Sequence, residues 1–338
     1  MTQIYDARGN LYAVTTPSAL RELGIALPEN AADAAATRRQ WAQAAIEALC
    51  LWPDNQPPAG AKAHRSDGLL IGPFQNQAPY DVLIVNTDGT LAERSGNGLT
   101  IFSQFLKDSG VLQERTFALR VHHNNAELPN PLQTLAESAR VEGINGFWLD
   151  LGTPSFGPEA VGAQGVAGAT LNERPVSRVT PLVQLDQAWN HSLFVRIGNP
   201  HCVTLVGNVG ALPSFAALHD EPLHTELTRI AFAAGELGAG DPCPGGVNLQ
   251  WACAVASDQI LARVFERGEG PTASSGTSAS AVASACWRAG WIQAGRVKVT
   301  MPGGTAPVRL IEQDGLLHQV LLFGVAGLQR AGDGITPA

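Results

Sequence analysis

Two stretches of the chain open alike, Ser95-Gly96-Asn97-Gly98 and Ser275-Gly276-Thr277-Ser278. Each leads into a mostly apolar, helix-forming run that ends at a glycine fifteen positions after the serine, Gly110 and Gly290. A small polar residue plus glycine at a helix start exposes N–H groups that the helix leaves without acceptors, backed by the positive end of its dipole. Such an end binds anions. Two of them, 180 residues apart, predict two similar halves presenting paired helix N-termini to one carboxylate. Gly96, Asn97, Gly98, Gly276 and Thr277 are then the expected anion-binding residues.

The elements around these starts must hold them rigid. The second helix, about 276–289, carries Ala279, Ala281, Val282, Ala283 and Ala285, small and apolar on nearly all sides. That composition fits a helix buried inside a curled sheet. Leu99, Ile101, Phe102, Phe105 and Leu106 give the first helix a wide apolar face. Strands are expected on both sides of a Gly9-Asn10 turn and over 69–72, 80–86, 117–122, 146–151, 193–197, 203–206, 247–254, 259–265, 297–301, 308–312 and 318–323. Further helices are expected over 31–51 and 226–236, and a loop over 124–131. The Gly/Ala/Pro-rich stretch 157–175 reads as a domain boundary or an extended loop. The fold class is α+β: two similar halves, each a mostly antiparallel sheet curled around a central helix. The expected domains are 1–140, completed by a C-terminal strand over 326–338, and 141–325.

At 338 residues, with 45% hydrophobic and 15% charged residues, the chain suits two ordinary globular domains. A net charge of −8 without a Lys/Arg cluster argues against nucleic acid or an anionic membrane as partner. No apolar run approaches a membrane span, and residues 1–12 lack a signal-peptide pattern, so the expected location is cytoplasmic. The five cysteines are scattered, without a C-x-x-C pair, and read as buried hydrophobes rather than zinc ligands or disulfides. His122 and His123 are adjacent on an expected strand, point oppositely, and make a poor metal pair. No metal, flavin, pyridoxal or nucleotide motif is found, so no cofactor is expected.

Taken in chain order, the motifs resemble those of the diaminopimelate epimerase family of cofactor-independent amino-acid racemases and epimerases. Gly9-Asn10 is similar to its G-N-D-F turn, with Leu11 replacing the acid, and Asp67-Gly68-Leu69-Leu70 to its D-G-L-L segment. Asn86-Thr87-Asp88-Gly89 through Ser95-Gly96-Asn97-Gly98 resembles N-x-D-G…C-G-N-G, without the arginine that usually follows. Gly198-Asn199-Pro200-His201 resembles G-N-P-H, and Val247-Asn248-Leu249-Gln250 resembles T-N-V-E. Glu266-Arg267-Gly268 through Gly270-Pro271-Thr272 and Ser275-Gly276-Thr277 is similar to E-R-G…G-x-T…C-G-[ST].

The resemblance implies an α-proton removed and returned on opposite faces by two cysteines, one per half. Here both positions are serine, Ser95 and Ser275. A thiol near pKa 8.5 ionises usefully at a helix N-terminus, whereas an alkoxide is far harder to form. Serine is also a favoured N-cap, and both readings stand. The resemblance further implies that Asn10, Asn86, Asn199 and Asn248 donate and accept toward an ammonium and a carboxylate. It gives Arg267 a bidentate hold on a distal carboxylate, and Glu266 an ammonium to bind or a proton to shuttle. A surface ion pair is the plainer reading of Glu266 and Arg267. His201 is a general base if the serines cannot act, or a satisfied structural histidine. The implied activity is diaminopimelate epimerisation in lysine biosynthesis, on a free amino-acid substrate, with a homodimer as the candidate assembly. A lyase or tautomerase on the same scaffold, or a binding protein that lost the acid/base pair, are the alternatives.

Overall fold

The computed structural model of the protein describes residues 2–59, 61–126 and 129–329. Backbone contacts divide the chain into two compact units, one reaching to Leu149 and including the segment from Gly324, the other spanning Asp150–Phe323.

In the first unit, β1 (Gln3–Ala7) and β2 (Asn10–Thr15) form a hairpin. Arg8 and Gly9 turn it with left-handed φ values of 58° and 82°. Three short helices follow, α1 (Pro17–Glu22), α2 (Ala31–Ala36) and α3 (Ala42–Leu49). The sheet resumes with β3 (Gly68–Ile71), parallel to β2 and antiparallel to β4 (Tyr80–Asn86). After α4 (Gly96–Asp108), β5 (Thr116–Val121) lies parallel to β4, and β6 (Leu132–Val141) and β7 (Ile144–Asp150) continue antiparallel. Val14, Leu70 and Ile84 pack with Leu99, Ile101, Phe102 and Leu106 of α4. The alternate residues Ala13, Leu69, Ile71, Leu83 and Val85 pack with Leu20, Trp41 and Ile46 on the helical side. Burial of both faces explains why these strands read as continuous apolar runs.

The second unit begins with β8 (Ser155–Phe156), α5 (Pro158–Val161), β9 (Ala167–Leu171), β10 (Arg174–Arg178) and α6 (Thr180–Leu185). It then repeats the order of the first. β11 (Ser192–Ile197) and β12 (Asn199–Leu205) form a hairpin at Gly198, followed by α7 (Leu223–Ala231). β13 (Asn248–Ala256) runs parallel to β12 and antiparallel to β14 (Gln259–Glu266). The short β15 (Gly270–Pro271) precedes α8 (Gly276–Arg288). β16 (Gly295–Met301) is parallel to β14, and β17 (Gly304–Gln313) and β18 (Leu316–Gly324) complete an antiparallel set. The small side chains of α8 sit in the core with Val195, Val203, Ala262, Val299 and Val308. The fold is α+β with the same hairpin, strand-pair, helix and three-strand order in each half.

The matched glycines close α4 and α8 identically. Gly110 and Gly290 take left-handed φ values of 70° and 75°. Their N–H groups bond Lys107 and Trp287 carbonyls, while the next residues, Val111 and Trp291, bond Leu106 and Cys286. These are Schellman ends, which need glycine at that position.

Several expected boundaries differ. The 31–51 stretch is broken: Thr37 Oγ1 bonds the Asp33 carbonyl and a 3₁₀ turn, Arg38–Gln40, lets the Trp41 indole reach the Ala34 carbonyl. The 226–236 helix is shifted to Leu223–Ala231, because Phe232 leaves helical geometry before the glycines beyond it. Stretch 157–175 holds α5 and β9 within one unit rather than a boundary or extended loop. The loop before Pro131 is followed by β6, whose Gln133, Glu137 and Arg140 mask its strand pattern. β7 pairs with β6 and therefore stays with the first unit, so the division falls after Leu149 rather than at 140. Gly327–Leu328 pairs with β1, and the rest of the expected 326–338 strand, from residue 330, lies outside the described residues.

Candidate active site

In the first unit, Ser95 is the extended residue before α4, with φ −145° and ψ 118°. Its carbonyl takes the first helical bond from Leu99, and its Oγ accepts the Gly98 N–H at 3.0 Å. The cap uses the third N–H, so those of Gly96 and Asn97 are the ones an anion would meet. A second donor also points at Ser95: the Tyr12 hydroxyl, 3.5 Å from Oγ, on a side chain only 7% exposed. Burial raises the Tyr12 phenol above its ordinary range, while the bond to Ser95 opposes the rise. Asn10, on the same face of β2, donates Nδ2 to Asp67 at 3.1 Å, and Leu11 N–H donates to the same oxygen at 2.9 Å. Asn86 ends β4 and donates to Thr90 Oγ1 at 2.9 Å.

In the second unit, Ser275 repeats that conformation, with φ −145° and ψ 123°. Its Oγ accepts the Ser278 N–H at 3.4 Å, which leaves the N–H groups of Gly276 and Thr277 at the helix start. Glu266, at the end of β14, accepts from Thr272 Oγ1 at 3.4 Å, and the Ser275 hydroxyl lies close enough to favour its carboxylate form. Burial raises the Glu266 carboxyl above the usual range, helped by Glu269 and opposed by the two hydroxyls. Glu266 therefore partners hydroxyls and not the neighbouring guanidinium. Asn248 is buried and its Oδ1 accepts the Arg267 backbone N–H at 2.9 Å. The exposed Arg267 side chain donates Nη1 to the Gly245 carbonyl at 3.0 Å. Asn199 is exposed at the start of β12.

His201 is fully buried. Its Nδ1 lies 3.0 Å from Gln250 Nε2, which also donates to Ser278 Oγ at 3.1 Å. Burial, then the charges of Arg267 and Arg196, push its pKa down to about 3, so the ring is neutral. With Gln250 donating to Nδ1, the ring proton is assigned to Nε2. His201 thus braces the Ser278 end of α8.

Strand register relates the two sites residue by residue. Tyr12 pairs with Gly68 across the parallel β2–β3, and His201 with Asn248 across the parallel β12–β13. Gly68 pairs with Asn86, while the Leu249–Phe265 pair sets Asn248 opposite Glu266 one step on. Tyr12 and His201 therefore hold one position of the repeat, and Asn86 and Glu266 another. One half offers an amide where the other offers a carboxylate. The motifs did not single out Tyr12, and they contained Asp67 and Gln250 without giving either a role. Period-two alternation from Asn10 is the signal that places Tyr12 on its face.

All five cysteines are free and buried, which pushes the Cys202, Cys243 and Cys286 thiols up. Among the described residues, no cluster of three His, Cys, Asp or Glu could hold a metal ion, and no helix is long and apolar enough to cross a membrane. His122 lies 3.0 Å from Asp81, and His123 accepts the Asn125 N–H.

The diaminopimelate epimerase profile matches residues 193–322, from β11 into β18. The diaminopimelate epimerase of Synechocystis sp. is 30% identical over 255 residues, 75% of this chain and 79% of that protein. Diaminopimelate epimerase 2 of Nostoc sp. is 28% identical over 247 residues, 72% and 74% of the two chains. Beyond sequence, a phenazine biosynthesis protein of the PhzF family from Bacillus anthracis shares the fold at a TM-score of 0.57. It is 12% identical and the match covers 97% of this chain and 96% of that one. With the repeated half-fold, the serine-capped helices and these relatives in agreement, the chain belongs to the diaminopimelate epimerase family.

Proposed function

We propose that the protein is a cofactor-independent epimerase that inverts the α-carbon of an amino acid, with diaminopimelate as substrate. The observation that carries this reading is the repeated serine-capped helix start, Ser95 before α4 and Ser275 before α8, with the Thr272-bonded Glu266 carboxyl near the second. Serine alone is a poor base, but a hydroxyl bonded to a carboxylate relays a proton. Ser275 Oγ takes the α-hydrogen as its own proton passes to Glu266, so no free alkoxide forms. The N–H groups at the two helix starts stabilise charge spreading onto the substrate carboxylate in the enediolate-like transition state. Ser95 supplies the proton to the opposite face. Arg267 holds the distal carboxylate, and Asn248, fixed to its backbone, sets where that arginine stands.

One asymmetry favours a second reading: Asn86 stands where the other half has Glu266. A single strong base suffices for a lyase or tautomerase. Incubation with LL-diaminopimelate in heavy water separates the two. An epimerase gives the meso isomer carrying one α-deuterium. A product with a new double bond, or α-deuterium without inversion, overturns the epimerase reading.

A further inference from the structure

We infer that Tyr12 is the proton-relay residue of the first half, acting through the Ser95 hydroxyl as Glu266 acts through Ser275. The inference rests on the proposed α-proton chemistry and adds the group that supplies its second proton.

Four observations point to it. Tyr12 is more than nine-tenths buried, yet its one polar atom is directed at Ser95 Oγ, 3.5 Å away. Ser95 Oγ already accepts the Gly98 N–H, so with Tyr12 it faces two donors, and its own proton is the one it can release. Tyr12 follows the Gly9-Asn10 turn on β2, and strand alternation puts it on the face of Asn10, one of the expected substrate-binding residues. The repeat places Tyr12 where the second half has His201, while the carboxylate position of the first half is the unionisable Asn86. The titratable groups facing this site are few: Asp67 raises the phenol's pKa and is itself engaged by Asn10, Leu11 and Lys62.

The step balances. The substrate carbanion takes the Ser95 hydroxyl proton, forming the Cα–H bond. Ser95 Oγ takes the Tyr12 phenolic proton in the same motion, and the negative charge ends on the Tyr12 oxygen. In reverse, the phenolate draws the serine proton as Ser95 removes the α-hydrogen of the other epimer. A phenol is a better proton donor than an alcohol by several pKa units, so it supplies what serine lacks.

The test is Tyr12→Phe, which keeps the ring in the core and removes only the hydroxyl. α-Deuterium exchange is measured separately for each α-configuration of the substrate, alongside Ser95→Ala. Tyr12→Phe is expected to slow exchange about 100-fold for the same configuration that Ser95→Ala disables, leaving the other unchanged. Installing a fluorinated, more acidic tyrosine at position 12 is expected to move the alkaline limb of the wild-type pH profile downward, which a purely structural ring would not do. Equal exchange by wild type and Tyr12→Phe overturns the role of Tyr12 alone. Equal slowing of both configurations with an unmoved alkaline limb also overturns it. If the wild-type protein exchanges no α-hydrogen, the parent reading fails and this inference falls with it.

Discussion

Glu266 shows how a single residue's surroundings set its chemistry. Its carboxyl is pushed up by burial, while the nearby Ser275 and Thr272 hydroxyls oppose the rise. A base with a raised pKa lies closer to working pH, where proton removal is most effective. The acid limb of the exchange–pH profile should therefore sit above the usual glutamate range and vanish in Glu266→Gln, with a rate loss of about 100-fold. Stability should move in a defined direction as well. A carboxyl whose folded pKa is raised binds its proton more tightly in the native state, so its contribution falls as pH rises through that folded value. Glu266→Gln should remove this decline in thermal melts taken from acid to neutral pH. A variant that keeps full exchange would show that Glu266 is only a partner of the Ser275 cap.

At the scale of the element, the helix starts couple stability to chemistry. A Cβ at Gly98 would lie 3.1 Å from both Cβ and Oγ of Ser95. Alanine there favours the helix by up to about 1 kcal/mol but presses the serine away from Tyr12. Gly98→Ala should melt no lower than wild type and exchange α-hydrogen about tenfold more slowly, since small displacements of a reacting group are expensive in rate. Unchanged exchange with unchanged stability would mean that Ser95 needs no fixed position. The helices themselves were legible in the sequence because their signals are local: a serine cap, an apolar face and a glycine that permits the Schellman end. β6 was not, since its polar residues carry no clean alternation and its pairing with β5 and β7 decides its state. The break within 31–51 was equally hidden, because Trp41 packing and its bond to Ala34 are tertiary in origin.

For the whole molecule, duplication with divergence is the organising fact. Two units repeat one strand and helix order, and each carries one serine in the same backbone conformation. The motif order in the sequence pointed to the family and to both serines, because those residues sit in turns and caps with strong local signatures. It offered Glu266 as a proton shuttle but did not join it to Ser275, and it did not point to Tyr12. Glu266 lies nine residues before Ser275 and Tyr12 lies 83 before Ser95, and only the pairing of strands brings each to its hydroxyl. The central claim is that the two serines serve opposite faces of one α-carbon. Exchange of the α-hydrogen in heavy water by Ser95→Ala and Ser275→Ala, each assayed with both α-configurations of the substrate, tests it most directly. Each variant should lose exchange with a different configuration and keep it with the other; loss of the same configuration by both, or of neither, would contradict the account.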